Sequence, residues 1–240
     1  MAEKVFVGAS GFSYPSWKGK FYPRETKSEE FLSYYSAHLS SVEINSSFYA
    51  PPSAATVKAW SEKTVPNFRF SFKAPKQVTH VLKLGTASFE PSTRFAKTLE
   101  VLGPKRGPVL FQLPPYSRKE LGLLEEFLSN TSDIGGRVFE FRHQSWFDGS
   151  TYQLLEKHGA GFCIAESEEM RPVLQVTGGL AYFRLRNESY DAKSVDQWAE
   201  RIRKTAKGLK ETYVYLRHDE TGENALLAQR LAERLQGPQE

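Results

Sequence analysis

Strand-like and helix-like segments alternate along the whole of this 240-residue chain, and that alternation restricts the fold more than any single motif does. KVFVGAS (4–10) is short, β-branched and aromatic, and it stops at a Gly and Ser cluster, the pattern of a strand. SEEFLSYYSAHL (28–39) places Ser28 as an N-cap, acids in its first turn, and Phe31, Leu32, Tyr35 and Leu39 at spacings of three and four, which predicts an amphipathic helix. The pair then repeats. Strands are expected at 41–48, 69–75, 108–114, 137–143, 161–167, 181–187 and 211–219. Helices are expected at 53–64, entered through Pro51, Pro52 and Ser53, and at 93–102, 119–131, 151–159, 195–209 and 224–235. Eight strands, nearly all followed by a helix, suit a single (β/α)8 barrel spanning 1–240, a fold that typically uses about 250 residues. One slot is irregular: SEEMRPVLQVTGG (167–179) has no helical period, so the helix after strand 6 is expected to be missing or replaced by a hairpin. A doubly wound open sheet is the competing architecture.

In a barrel, each strand packs one face on the helices and turns the other toward the axis. Applying period two, the apolar residues Val42 and Ile44, Phe70 and Phe72, Val109, Phe111 and Leu113, Phe139 and Phe141, Phe183 and Leu185, and Val214 and Leu216 take the helix side. Left inward are Glu43 and Asn45, Ser71 and Lys73, Leu110 and Gln112, Val138, Glu140 and Arg142, Tyr182, Arg184 and Arg186, and Tyr213, Tyr215, Arg217 and Asp219. The inward set turns polar toward the carboxyl ends of the strands, where barrel active sites are built. Cations Lys73, Arg142, Arg184, Arg186 and Arg217 outnumber carboxylates Glu43, Glu140 and Asp219, which favours an anionic ligand, because guanidinium groups clamp phosphate or carboxylate with two parallel hydrogen bonds. The competing reading is a self-satisfied network of ion pairs; a purely structural barrel centre would instead be filled by branched apolar residues.

Whole-chain properties set the outer limits. With 40% hydrophobic and 25% charged residues the chain has a globular composition, and no stretch approaches the roughly 18 to 20 apolar residues of a membrane span, so no membrane partner is expected. The single cysteine, Cys163, excludes an intrachain disulfide and fits a reducing compartment; with no secretory signal in MAEKVFVGAS, the expected location is cytoplasmic. The net charge of +4 is too thinly spread to require a nucleic acid, and RIRKTAKGLK (201–210) reads as a solvated helix face. Nothing in the sequence sets the oligomeric state.

The same residues lie in words that resemble the family called domain of unknown function 72, also described as YecE-like: GASGFSYPSWKGKFYP (8–23), VEINSSFYAPPS (42–53), FRFSFKAP (68–75), the Thr79-His80 pair, GPVLFQLPP (107–115) and EFRHQSW (140–146). The resemblance implies a TIM barrel of unassigned activity, with Glu43, Asn45, Lys73, His80, Gln112, Glu140, Arg142 and His143 in the shared site. It also implies departures. Arg186 and Asn187 stand where a His-Gly pair usually follows an Arg-Leu, Arg217 and His218 stand for an Asn pair, and Glu166 stands for an Asp. The more basic substitutions suit a more anionic or larger ligand.

Among individual groups, Glu43 and Glu140 are the general acid/base candidates, with ion-pairing or ligand orientation as the alternative. His143 is a proton-shuttle candidate at a strand end, against a loop-anchoring use. His80 sits in a loop able to reach the pocket, or is a hydrogen-bonding fixture there. Lys73 could form a Schiff base if desolvated, although its neighbours favour anion binding. Ser10 and Gly11 follow the first strand, where backbone N–H groups can hold an anion. Glu43, Glu140, Glu166, His143, His218 and Asp219 include donors for a divalent metal, but no metal motif is present and the cation excess disfavours that cofactor. Trp17, Tyr22, Tyr49 and Trp146 would either stack on a sugar or base or cap the barrel. These readings converge on a hydrolase or isomerase acting on a phosphorylated, carboxylated or sugar-like small anion. A nucleic-acid binder using the basic mouth and loop aromatics, and a non-catalytic metabolite binder, are the alternatives.

Overall fold

A computed structural model of the chain describes residues 4–237. Eight parallel strands run β1 (Lys4–Ala9), β2 (Ser41–Ile44), β3 (Arg69–Lys73), β4 (Arg106–Gln112), β5 (Arg137–Glu140), β6 (Gly161–Glu166), β7 (Leu180–Leu185) and β8 (Glu211–Leu216). They pair in the order β1-β8-β7-β6-β5-β4-β3-β2, a sheet that curls round until its ends meet in a nearly closed barrel. Between them lie α1 (Phe31–His38), α2 (Ala54–Glu62), α3 (Phe89–Thr98), α4 (Leu121–Asn130), α5 (Gly149–Lys157), α6 (Ala192–Ala206) and, after β8, α7 (Glu223–Gln236).

The local signals act as the sequence suggests, with shifts at several ends: β2, β5 and β8 stop at Ile44, Glu140 and Leu216 rather than at 48, 143 and 219, and α6 runs Ala192–Ala206 rather than 195–209. Ser53 caps α2 by accepting from the Thr56 N–H at 3.1 Å, and Asp148 and Asp191 cap α5 and α6 in the same way. Ser28 is not the cap of α1: Ser28–Glu30 forms a short 3-10 turn in which Glu30 accepts from the Lys27 N–H at 2.8 Å. The third helix begins at Phe89 rather than Thr93, because Pro91 lies in its first turn, where a missing N–H costs nothing. Between β6 and β7 there is no helix among the described residues; antiparallel bridges Ser167–Met170 and Thr177–Leu180 close two small turns instead.

Period two divides the core in two. One cluster, between sheet and helices, holds Val42, Ile44, Phe70, Phe72, Val109, Phe111, Phe139, Phe141, Phe183, Leu185, Val214 and Leu216. A second, inside the barrel, consists of Phe6, Leu110, Val138, Cys163, Ala165, Tyr182, Tyr213 and Tyr215.

The barrel is stitched rather than zipped where β1 meets β2. The backbones pair only at Ser10–Glu43, where the Gly11 N–H donates to the Glu43 carbonyl at 2.9 Å. Below that point side chains replace the ladder. The Ala9 N–H donates to the Tyr35 hydroxyl at 2.7 Å, that hydroxyl donates to the Ser41 carbonyl at 3.0 Å, and the Val7 N–H donates to Ser40 Oγ at 2.9 Å. Gly8 permits the approach, since a Cβ there would stand 1.8 Å from the Ser41 carbonyl oxygen.

Candidate functional site

The barrel interior grades from apolar to charged along its axis. At the amino-terminal end the Phe6 and Tyr213 rings stack 5.1 Å apart, and the Arg69 guanidinium lies 4.8 Å from the Phe6 ring centre, plugging the bottom. One layer up, the Tyr215 hydroxyl bonds Ser41 Oγ at 2.5 Å and Ser71 Oγ at 2.7 Å. Above this sits a layer of ionised groups at the carboxyl ends of the strands.

Arg184 is its hub, 1% exposed. Its Nη2 donates to Glu43 Oε1 at 2.8 Å, and its Nη1 donates to Glu140 Oε2 and to Gln112 Oε1, the latter at 3.1 Å. Glu43, 0% exposed, also accepts from Ser10 Oγ at 3.1 Å and from the Tyr182 hydroxyl at 2.8 Å; Glu140, 1% exposed, accepts from Arg142 Nε at 3.0 Å. Burial by itself pushes both carboxyls up. The charge and hydrogen bonds of Arg184, helped by Arg186 at Glu43 and by Arg142 at Glu140, more than reverse this: Glu43 stays below the usual carboxylate range and Glu140 falls to about 2. Arg184 therefore does not reach for a ligand; it is held between the two acids.

The cations above it have no such match. Lys73, half-buried at the end of β3, lays its Nζ 4.1 Å from the Phe48 ring centre and has no carboxylate within ion-pair distance among the described residues. Burial and the Arg184 charge bring it down to about 8, against the opposite pull of Glu140 and Glu43. Arg186, half-buried at the end of β7, gives its Nη1 to Ser10 Oγ at 3.1 Å, a neutral partner; burial and Arg184 lower it to about 10. Arg142 shares Glu140 and is otherwise exposed. His80 is held by Thr79 Oγ1 to its Nδ1 at 2.9 Å, with its ring edge-on to Phe48; burial, Lys73, Lys76 and Arg142 all keep it below the ordinary histidine range.

Buried polar atoms without partners gather at this end: Asn45 Oδ1 after β2, Asn187 Oδ1 after β7, His218 Nδ1 after β8 and the Nε of Arg184. Such atoms are scarce in folded proteins and mark places that water or a ligand completes. Tyr14 borders the same region; its ring stacks on His218 at 4.9 Å, and its hydroxyl donates to the Ser10 carbonyl at 2.9 Å. Alternation places Tyr182 inward but assigns it no role at the site, and Tyr14 has neither, beyond lying in the motif at 8–23. Tyr14 also lines a cleft formed by Phe12, Leu32, Ile44, Ser46 and Trp60.

Other expected members are placed elsewhere. His143 accepts from the Ser145 N–H at 3.2 Å and bonds Ser145 Oγ at 2.8 Å, capping a turn after β5. Arg217 follows the end of β8, where its charge acts on His218 and Glu168. Asp219 does not point inward, because the strand stops at Leu216; its carboxylate accepts from the Thr221, Gly222 and Asn224 N–H groups at the start of α7. Glu166 faces the helices, accepting from the Tyr190 hydroxyl at 2.8 Å and Trp198 Nε1 at 3.0 Å. Of the six metal-donor candidates only Glu43 and Glu140 come together, on Arg184, and among the described residues no group of three His, Cys, Asp or Glu is placed to hold a metal ion. The Ser10 and Gly11 N–H groups are taken by the Leu216 and Glu43 carbonyls, so they form no anion nest. Trp17, Tyr22 and Trp146 are buried caps, with the indoles of Trp17 and Trp146 donating to the Asp219 and Ser117 carbonyls at 2.8 Å; Tyr49 alone of the four is open, at 81% exposure. No helix among the described residues is long and apolar enough to cross a membrane.

Comparison with known proteins agrees with this architecture. UPF0759 protein YecE of Escherichia coli strain K12 is 31% identical over 155 residues, 64% of this chain and 54% of that protein. UPF0759 protein YunF of Bacillus subtilis strain 168 is 29% identical over 158 residues, 62% of this chain and 54% of that protein, so the match spans about half the length of these curated relatives. The crystal structure of a DUF72 family protein from Thermotoga maritima superposes with a TM-score of 0.80 at 29% identity, covering 98% of this chain and 100% of that one. The family profile described as "Protein of unknown function DUF72" matches residues 6–240, and the chain belongs to that family.

Proposed function

We propose that the carboxyl end of the barrel binds a small phosphorylated or carboxylated metabolite and that the protein is an enzyme, of hydrolase or isomerase type, acting on it. The observation that carries this reading is Arg186: a half-buried guanidinium whose hydrogen-bond partner is the neutral Ser10 hydroxyl, pushed down to about 10 by burial and by Arg184. Arg186 feels Glu43 and Glu140 only as charges already bonded to Arg184, and an anion between Arg186 and Arg142 would give it a partner of its own. The unpartnered oxygens of Asn45 and Asn187 would accept from hydroxyl groups on the same ligand, which favours a sugar-like skeleton.

Division of labour follows from the ionisation states. Glu43 and Glu140, each bonded to Arg184 and held low, keep that guanidinium in place and are poorly suited to donate a proton near pH 7. Lys73, at about 8, is the side chain at this mouth best matched to proton transfer at neutral pH. Inorganic phosphate tests the reading: calorimetric titration against chloride at matched ionic strength should show saturable binding, weakened roughly 10- to 100-fold in Arg186→Gln by loss of a charge-assisted hydrogen bond. Equal affinity in the two proteins, or no binding of phosphate, would overturn it.

A further inference from the structure

Resting on the anion-binding reading, we propose that Lys73 is a carbonyl-capturing amine: its Nζ forms an imine with an aldehyde or ketone whose phosphate or carboxylate is held by Arg186 and Arg142. The geometry is that of a presented nucleophile. Lys73 ends β3 on the axial side of the barrel, facing the region where barrel chemistry takes place. Its backbone is fixed by Ser47 Oγ, which lies 2.7 Å from both the Lys73 and the Ile44 carbonyl oxygens and shares its one proton between them, tying β3 to β2. Its Nζ rests over the Phe48 face at 4.1 Å, a cation–π contact that positions the side chain while it is charged, and it is claimed by no carboxylate among the described residues. Arg184 and Arg142 add positive charge around it and favour the uncharged form.

Electrostatics agree with the geometry. At about 8, Lys73 offers a fraction of free amine at neutral pH some two orders of magnitude above that of an ordinary lysine. His80 packs T-shaped on the same Phe48 ring, at 4.9 Å between ring centres, its value lowered by burial and by the Lys73, Lys76 and Arg142 charges, with Nδ1 occupied by Thr79. A neutral imidazole there is suited to relaying the protons of dehydration. In the step itself the Nζ–C bond forms and the carbonyl C–O bond breaks. The oxygen leaves as water with the two amine protons, the imine takes one proton from solvent, and no oxidant or reductant takes part.

The test uses glycolaldehyde phosphate, with uncharged glycolaldehyde as control, and sodium cyanoborohydride to reduce any imine to a secondary amine that peptide mass mapping locates. Full-length protein should be labelled at Lys73 tens of times faster than at its exposed lysines, a margin on the order of what the free-amine fraction allows. Inorganic phosphate should suppress that labelling. Arg186→Gln, which keeps the amine, should lose the preference for the charged aldehyde over the uncharged one. Phosphate binding with labelling spread evenly over surface lysines would overturn imine formation and leave the anion site standing; absence of both would remove the anion reading as well.

Discussion

Arg184 and Glu43 meet across the barrel axis, Nη2 to Oε1 at 2.8 Å, from strands that are 141 residues apart in the chain and both fully buried. Arg184→Met should destabilise the fold by about 3–5 kcal/mol in urea titration, because it leaves buried Glu43 with only the neutral Ser10 and Tyr182 hydroxyls and buried Glu140 with Arg142 alone. A loss well under 1 kcal/mol would show that the two acids find other partners.

The two acids also set the acid limb of stability. Both carboxyls ionise below their unfolded values, Glu140 at about 2 against an ordinary 4.5, so the folded state binds fewer protons there than the unfolded chain. Their contribution is complete above the unfolded value and is lost as pH falls from there toward about 2. Thermal melts of Glu140→Gln should therefore lie below wild type at pH about 6 and converge on it as pH falls to about 3. Parallel curves would contradict the assignment.

Lys73 has the opposite consequence on the alkaline side. Its folded value of about 8 lies below the ordinary 10.5, so between these limits the unfolded chain holds more protons and this group makes stability rise with pH. Lys73→Met, which keeps an apolar stem over Phe48, should be the more stable protein at pH 7, and its advantage should shrink toward pH about 10. A pH-independent difference in melting temperature would count against a depressed Lys73.

The β1–β2 seam makes Gly8 irreplaceable by even one carbon. Gly8→Ala places Cβ 1.8 Å from the Ser41 carbonyl oxygen and 2.9 Å from the Tyr35 hydroxyl, and the Ser41 contact is with backbone, which no side-chain rotation relieves. The expected loss is about 3 kcal/mol or a failure to accumulate soluble protein. Tyr35→Phe, which leaves the Ala9 N–H without its acceptor, should cost about 1–3 kcal/mol by chemical denaturation.

The legible part of this protein follows from local rules. Eight alternations and a period of two placed Glu43, Lys73, Gln112, Glu140, Arg142, Arg184 and Arg186 toward the axis, because a strand's pleat fixes the face of each side chain whatever lies across from it. The rule carries one or two residues past a strand's end, to Arg186 and Arg142, and fails farther out. Asp219 lies beyond Leu216, and its alternation was broken by the turn into α7. Glu166 was named for its donor chemistry, although its pleat turns it to the helices.

What only the tertiary structure decided is who pairs with whom. Arg184 in β7 and Arg186 just past its end lie two residues apart on the same side, yet one is bonded to both Glu43 and Glu140 while the other gives its hydrogen bond to a serine hydroxyl. That difference comes from the stagger of strands distant in sequence, which sets the height at which each side chain enters the barrel. Local periodicity determines the direction a charge faces; the closure of the sheet determines whether it finds its opposite.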